Sequence, residues 1–226
     1  MKKQSLIIFF FLVLLVDIIA VETGNALLQY LSKPLLMPVL VLFLVFNTSA
    51  ITSSFKKWIA AALFFSWSGD VLLMFQDNIP DFFLFGLSAF LLAHICYIIF
   101  FHNIRRTEGL KGKPGLFLPV AAYYTGLILL LFPHLGEMKM PVVIYGLIIS
   151  FMLVLALHMA FIRNRETGKL LAAGALLFVI SDSVLAVNKF YHPFEMAGAV
   201  TMLTYGLAQY LIIKGACLYI RSGYQK

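Results

Sequence analysis

Two aspartates, Asp70 and Asp182, lie deep inside apolar runs of the sequence. An ionisable residue at membrane depth costs about 2.5–3.5 kcal/mol on insertion scales, so each one demands a purpose. Asp70 stands 12 positions beyond Trp58, where its run begins, and Asp182 stands 13 beyond Lys169. At a helical rise of about 1.5 Å per residue both sit roughly 18–20 Å from the same membrane face. That depth falls inside a hydrocarbon layer about 30 Å thick. If the two runs are neighbours, the carboxylates face one cavity. Two carboxylates close together in a low-dielectric site do not both stay ionised at neutral pH. One is left a proton donor and the other a base, the pairing that suits a hydrolysis needing both protonation of substrate and activation of water.

Other polar side chains share these runs. Gly69 and Ser181 directly precede the aspartates, and small residues let helices approach closely. His94 and Tyr97 lie one turn apart, as do Tyr205 and Gln209, so each pair can share a helix face. These four can bind a polar head group or bond one helix to another. Lys33 lies near the far end of its run, where it either snorkels to the interface or neutralises an aspartate or a lipid phosphate. Pro34 fits a first-turn position, whereas Pro38 is expected to bend its helix and free carbonyl groups. Asp17 is expected near the far end of the first run, close to water, and His158 near the opposite end of the sixth.

The elements that would position these groups follow from the composition. The chain of 226 residues is 62% hydrophobic and only 12% charged, with a mean hydropathy of +0.96. A soluble domain carries about 25% charged residues, so lipid is the natural solvent here. Apolar runs read between polar breaks give eight candidate spans, 6–21, 27–46, 58–75, 82–101, 116–132, 142–162, 169–187 and 196–219. No stretch alternates at period two, which argues against a β-barrel. The first run carries Asp17 and ends in Ile19-Ala20-Val21-Glu22 without a small-x-small site, so it reads as a spanning helix rather than a cleaved leader. The connections are short, and residues 1–226 read as a single all-α integral membrane domain of about eight helices.

Of the 17 Lys and Arg residues, 14 fall on one side of this arrangement, and only Lys33, Lys139 and Lys189 fall on the other. The partition predicts that both termini are cytoplasmic. Glu22, Asp77, Asp81, Glu137 and Glu195 gather on the opposite side. The net charge of +7 is therefore an orientation signal, with no nucleic-acid partner expected. Cys96 and Cys217 lack any metal-like spacing and read as packing residues. A short internal echo relates Gly69-Asp70-Val71-Leu72-Leu73 to Ser181-Asp182-Ser183-Val184-Leu185, and Ala93-His94 to Ala208-Gln209. It suggests a parallel four-plus-four repeat about an axis along the membrane normal.

The ordered set Lys33-Pro34-Leu35-Leu36-Met37-Pro38, Ser68-Gly69-Asp70-Val71-Leu72-Leu73-Met74, and Gly86 through Ala93-His94 with Tyr97 resembles the YhhN-like lysoplasmalogenase family. The match continues through Gly174 to Ser181-Asp182-Ser183 and into the segment from Tyr205 to Gln209. The resemblance implies a multipass hydrolase of the bacterial inner membrane that cleaves the vinyl ether bond of lysoplasmalogens. The products would be a fatty aldehyde and glycerophosphoethanolamine or glycerophosphocholine. It maps the family's two signature aspartates onto Asp70 and Asp182 as the catalytic pair. Lys33, His94, Tyr97, Tyr205 and Gln209 are the candidate substrate-binding residues, the partner is a lysophospholipid within the membrane, and no metal or cofactor is expected. The first run, with Asp17, lies outside the resemblance.

Two readings from other classes fit the same buried acids. A membrane transporter or lipid-binding protein also places acids and prolines at membrane depth. A zinc-dependent intramembrane hydrolase would need about three converging ligands with one open position. Among the histidines only His94 and His158 lie within spans, whereas His102, His134 and His192 fall at helix ends or in loops.

Overall fold

A computed structural model describes residues 3–76, 78–79 and 81–224. Lys2, Asp77 and Lys226, which enter the charge partition, lie outside the described residues. The described residues form eight α-helices: α1 (Lys3–Glu22), α2 (Ala26–Thr48), α3 (Ser54–Leu73), α4 (Asp81–Thr107), α5 (Phe117–Leu131), α6 (Lys139–His158), α7 (Arg165–Ala186) and α8 (Ala197–Tyr224). No strand occurs among the described residues. Seven of the eight are long and apolar enough to cross a membrane. The remaining one, α3, has 20 residues but carries Lys56, Lys57 and Asp70.

Local chemistry sets the helix ends. The α1 helix stops at Gly24, whose φ of +64° suits a residue without a side chain, and the Asn25 N–H closes the end by donating to the Ala20 carbonyl at 2.9 Å. The Asn25 Oδ1 then accepts from the Leu28 N–H at 3.0 Å and starts α2. Ser53 and Asn164 cap α3 and α7 in the same way. Because Asn25 starts α2, Pro34 sits inside the helix rather than in its first turn, a correction to the sequence expectation. The helix runs unbroken through both prolines. Pro38 has no N–H for the Pro34 carbonyl, and the Trp67 indole donates to that carbonyl instead at 3.0 Å. The backbone group freed by a proline thus ties α2 to α3.

In lipid the hydrophobic effect does not drive helices together, so close packing and polar contacts must. The broadest helix pairings are α7 with α8, α3 with α4, and α1 with α2. Small residues sit where these surfaces meet. A Cβ at Gly174 would come 2.9 Å from the Ala208 carbonyl of α8, and one at Gly69 would come 2.6 Å from the Phe90 ring of α4. Helix α8 is the centre of the bundle, with 61% of its spanning stretch buried, whereas α5 has 11% and packs mainly on α6. Helices α3 and α7 are not a major packing pair. Each packs against α8, and this brings the C-terminal ends of α3 and α7 to one place.

Two intramembrane residues differ in setting. Asp17 is fully buried, not close to water, because its face of α1 turns towards α2 and α8, and its Oδ1 accepts from the Ser32 hydroxyl at 2.8 Å. His158 lies at the end of α6 as expected, where its Nε2 accepts from the Lys113 N–H at 3.0 Å and holds the α4–α5 connection.

Candidate active site

The two depth-matched aspartates share one cavity. Asp70 from α3 and Asp182 from α7 line a single cavity of about 100 Å³, together with Lys33, Tyr145, Ser181 and Tyr205. Apolar side chains such as Leu87 and Phe90 form the rest of the wall. The volume is room for about three water molecules at roughly 30 Å³ each. A larger cavity of about 610 Å³ lies at the opposite end of the bundle, where Thr52, Glu108, Arg163 and Tyr219 line it. It contains none of the intramembrane acids.

Each aspartate is held by a tyrosine. The Tyr205 hydroxyl donates to Asp70 Oδ2 at 2.7 Å. Behind it, Gln209 Nε2 donates to the Tyr205 oxygen at 3.4 Å and to Ser66 Oγ at 3.0 Å. Tyr97 in turn donates to Gln209 Oε1 at 2.5 Å. Three residues from α4 and α8 therefore form a series of donors that ends on Asp70. On the other side, the Tyr145 hydroxyl of α6 donates to Asp182 Oδ2. His94 Nε2 lies 3.8 Å from that same oxygen, and its ring packs edge-on against Tyr145 and Phe178. Ser181 is fixed by donating to the Thr201 carbonyl at 2.9 Å, which points the next residue, Asp182, into the cavity.

The carboxylates differ in exposure: Asp70 is 2% exposed and the Asp182 side chain 17%. Lys33 is the one cation on the cavity wall among the described residues, and its charge reaches both Asp70 and Asp17. Of the sequence-predicted site residues, Lys33, Asp70, Asp182 and Tyr205 line the cavity. His94, Tyr97 and Gln209 are fully buried behind it. Tyr97 and Gln209 connect to Asp70 through Tyr205, whereas His94 lies 3.8 Å from Asp182 with no hydrogen bond to it. Tyr145 was not singled out by the sequence. The available signal was its place in the first turns of an otherwise apolar run, at a level that can face Asp182. Among the described residues no three of the His, Cys, Asp and Glu side chains gather closely enough to hold a metal ion.

A family model described as the YhhN family matches residues 28–216. The lysoplasmalogenase TMEM86B of Rattus norvegicus is 34% identical over 79% of this chain and 70% of its own length. A lysoplasmalogenase of Mycobacterium tuberculosis (strain CDC 1551 / Oshkosh) is 32% identical over 71% of this chain, which spans 60% of that relative. The lysoplasmalogenase TMEM86A of Homo sapiens is 35% identical over 70% of this chain and 64% of its own length. No solved structure matches the chain.

Proposed function

The chain belongs to the YhhN family, and on that premise we propose that it hydrolyses the vinyl ether bond of a lysoplasmalogen with Asp70 and Asp182 as base and acid. The observation that carries the reading is that a buried carboxylate from α3 and a partly buried one from α7 line one cavity beside a lysine. The relatives' printed name, lysoplasmalogenase, supplies the substrate class.

The chemistry suits what the cavity offers. A vinyl ether accepts a proton at the carbon β to oxygen. A C–H bond forms, the double bond is lost, and the positive charge becomes an oxocarbenium ion. Asp182, the more open of the two, supplies this proton. Asp70 stands at the end of the donor series from Tyr97 through Gln209 and Tyr205. That arrangement favours a carboxylate, which stabilises the neighbouring cation and accepts the proton that water loses on attacking the oxocarbenium carbon. The resulting hemiacetal passes its hydroxyl proton to the ether oxygen and separates into a fatty aldehyde and a glycerophospho-alcohol. The proton spent by Asp182 equals the one gained by Asp70, so the pair is restored by exchange through the cavity. Lys33, on the wall of the same cavity, pairs with the substrate phosphate.

The protein acts in the plasma membrane of its cell, with both termini cytoplasmic and the cavity nearer the opposite face. The distribution of basic residues supports the cytoplasmic termini, and the position of the aspartates towards the C-terminal ends of α3 and α7 supports the placement of the cavity. Incubation of purified protein with lysoplasmalogen, with diacyl and lyso-acyl phospholipids as controls, tests the function. Aldehyde from the vinyl ether substrate alone supports it. Binding or passage of the lipid without aldehyde would leave a transporter or lipid-binding protein.

A further inference from the structure

A second cavity adjoins the first. It lies between α5, α6 and α7, measures about 40 Å³, and shares Val142, Tyr145, Asp182 and Ala186 with the aspartate cavity. Asp182 lies on both, whereas Asp70 lies only on the first. Its other walls are mostly apolar, with Leu127 and Ile128 from α5, Ile149 from α6 and Val179 from α7. Polar contacts span it from α5: Tyr123 meets Ser183 of α7, and the Tyr124 hydroxyl donates to the Val143 carbonyl of α6 at 3.1 Å. The Ser183 hydroxyl donates to the Val179 carbonyl, so the Tyr123 hydroxyl of α5 is the donor to Ser183 of α7. Tyr123 is 37% exposed, and α5 is the least buried of the candidate spans.

A single-chain ether lipid already has its hydrocarbon tail in the bilayer when its head reaches the protein. To bring the reacting bond to an interior aspartate, the tail has to pass sideways between helices. Moving it through an apolar crevice costs no transfer from lipid to water. The geometry points to the α5–α7 crevice as the passage this tail takes out to the lipid. At about 40 Å³, little more than a water's share of about 30 Å³, the crevice holds only the first carbons beyond the double bond, which pass between Leu127 and Val179 once Tyr123 parts from Ser183, and the rest of the chain lies in lipid. This inference rests on the proposed hydrolysis for the identity of the head, and it fixes the direction of the substrate. With the glycerophosphate towards Lys33 and the tail beyond Asp182, the alkenyl carbon that receives the proton stands next to Asp182. The oxygen and the attacking water stand on the side of Asp70.

Two experiments test the crevice, and only one depends on turnover. A saturated 1-O-alkyl lysophosphoethanolamine has no double bond to protonate. Bearing a diazirine within the first few carbons of its chain, it should label Leu127, Ile128 or Val179, and excess unlabelled alkyl lysophospholipid should suppress the labelling. Labelling confined to the outward-facing Leu118 and Leu129, unsuppressed by competitor, or no labelling at all, overturns the assignment. Separately, Leu127→Trp should lower the ratio of kcat/KM for a long-chain against a short-chain lysoplasmalogen by about tenfold or more, the discrimination that crowding an apolar pocket produces. An unchanged ratio in a hydrolysing enzyme rejects the crevice and leaves the proposed hydrolysis standing. Suppressible labelling in a protein that releases no aldehyde does the reverse.

Discussion

Replacing Tyr145 with Phe removes one hydroxyl from the site and little else. The ring that packs at 5.3 Å from the His94 ring stays in place, and no core volume is lost. What disappears is the donor to Asp182 Oδ2. In the proposed mechanism Asp182 gives up its proton in the first step, so its carboxylate charge develops as the transition state forms. A hydrogen bond to a developing charge is stronger there than in the ground state, and so it acts on kcat rather than KM. A hydrogen bond contributes about 0.5–1.5 kcal/mol to a neutral group and about 1.5–3 kcal/mol to a charged one, a gain of about 1–1.5 kcal/mol as the charge develops. At about 1.4 kcal/mol per factor of ten, Tyr145→Phe should lower kcat by about 5–12-fold. KM should move less than about threefold, since the hydroxyl contributes no substrate contact of its own. The assay is aldehyde release in detergent or nanodiscs, normalised to folded protein by thermal unfolding. In an Asp182→Asn background the same change should have little further effect, because the two groups act as a unit. A wild-type kcat in Tyr145→Phe, or an equal loss in both backgrounds, would refute this account of Asp182 as the donor.

Asp70→Asn and Asp182→Asn should each lower turnover by about 10²-fold or more, the scale of lost general acid–base catalysis. The double variant should lose far less than the product of the two, and all three should insert and fold, since an amide is easier to bury than a carboxyl. Lys33→Met should raise KM for phosphate-bearing substrate by about tenfold or more, the strength of a charge-assisted contact. It should change KM much less for an alkenylglycerol that lacks the phosphate. Reporter fusions after Gln76 and after Gly109 should report opposite sides of the membrane, and the same side for both would overturn the eight-span orientation.

The parts of this site that were legible in the sequence are those that break the composition of a span. An aspartate in an apolar run stands out, and a single helical rise was enough to match the depths of Asp70 and Asp182. Eight runs became eight helices because each is apolar over about a membrane's thickness, and Asn25, Ser53 and Asn164 cap three of them. Depth along a helix, however, says nothing about rotation around it. Distance to the helix end puts Asp17 close to water, yet its face of α1 turns inward, where Ser32 donates to Oδ1 and Oδ2 has no partner among the described residues. Tyr145 was missed for the opposite reason, since one tyrosine in a membrane protein breaks no pattern. The short echo between the halves would look for the partner of Asp182 at Phe90, the counterpart of Tyr205, and Phe90 has no hydroxyl to give. The hydroxyl comes instead from α6, a contact set only by packing. Pro34 illustrates a third kind of gap. Its neighbour Lys33 marks the polar end of the span, but Asn25 starts the helix earlier, and the carbonyl freed by Pro38 is taken by Trp67 from a different helix.

The central claim is that a carboxyl in this cavity protonates carbon and that water then captures the cation. Hydrolysis of lysoplasmalogen by the purified protein in D2O, with the aldehyde trapped as it forms and read by mass spectrometry, tests it most directly. The account predicts one deuterium on the carbon next to the aldehyde group in every product molecule, and loss of this labelled product in Asp70→Asn and Asp182→Asn. Aldehyde without deuterium at that carbon, or labelled aldehyde formed at the wild-type rate by either variant, would contradict it.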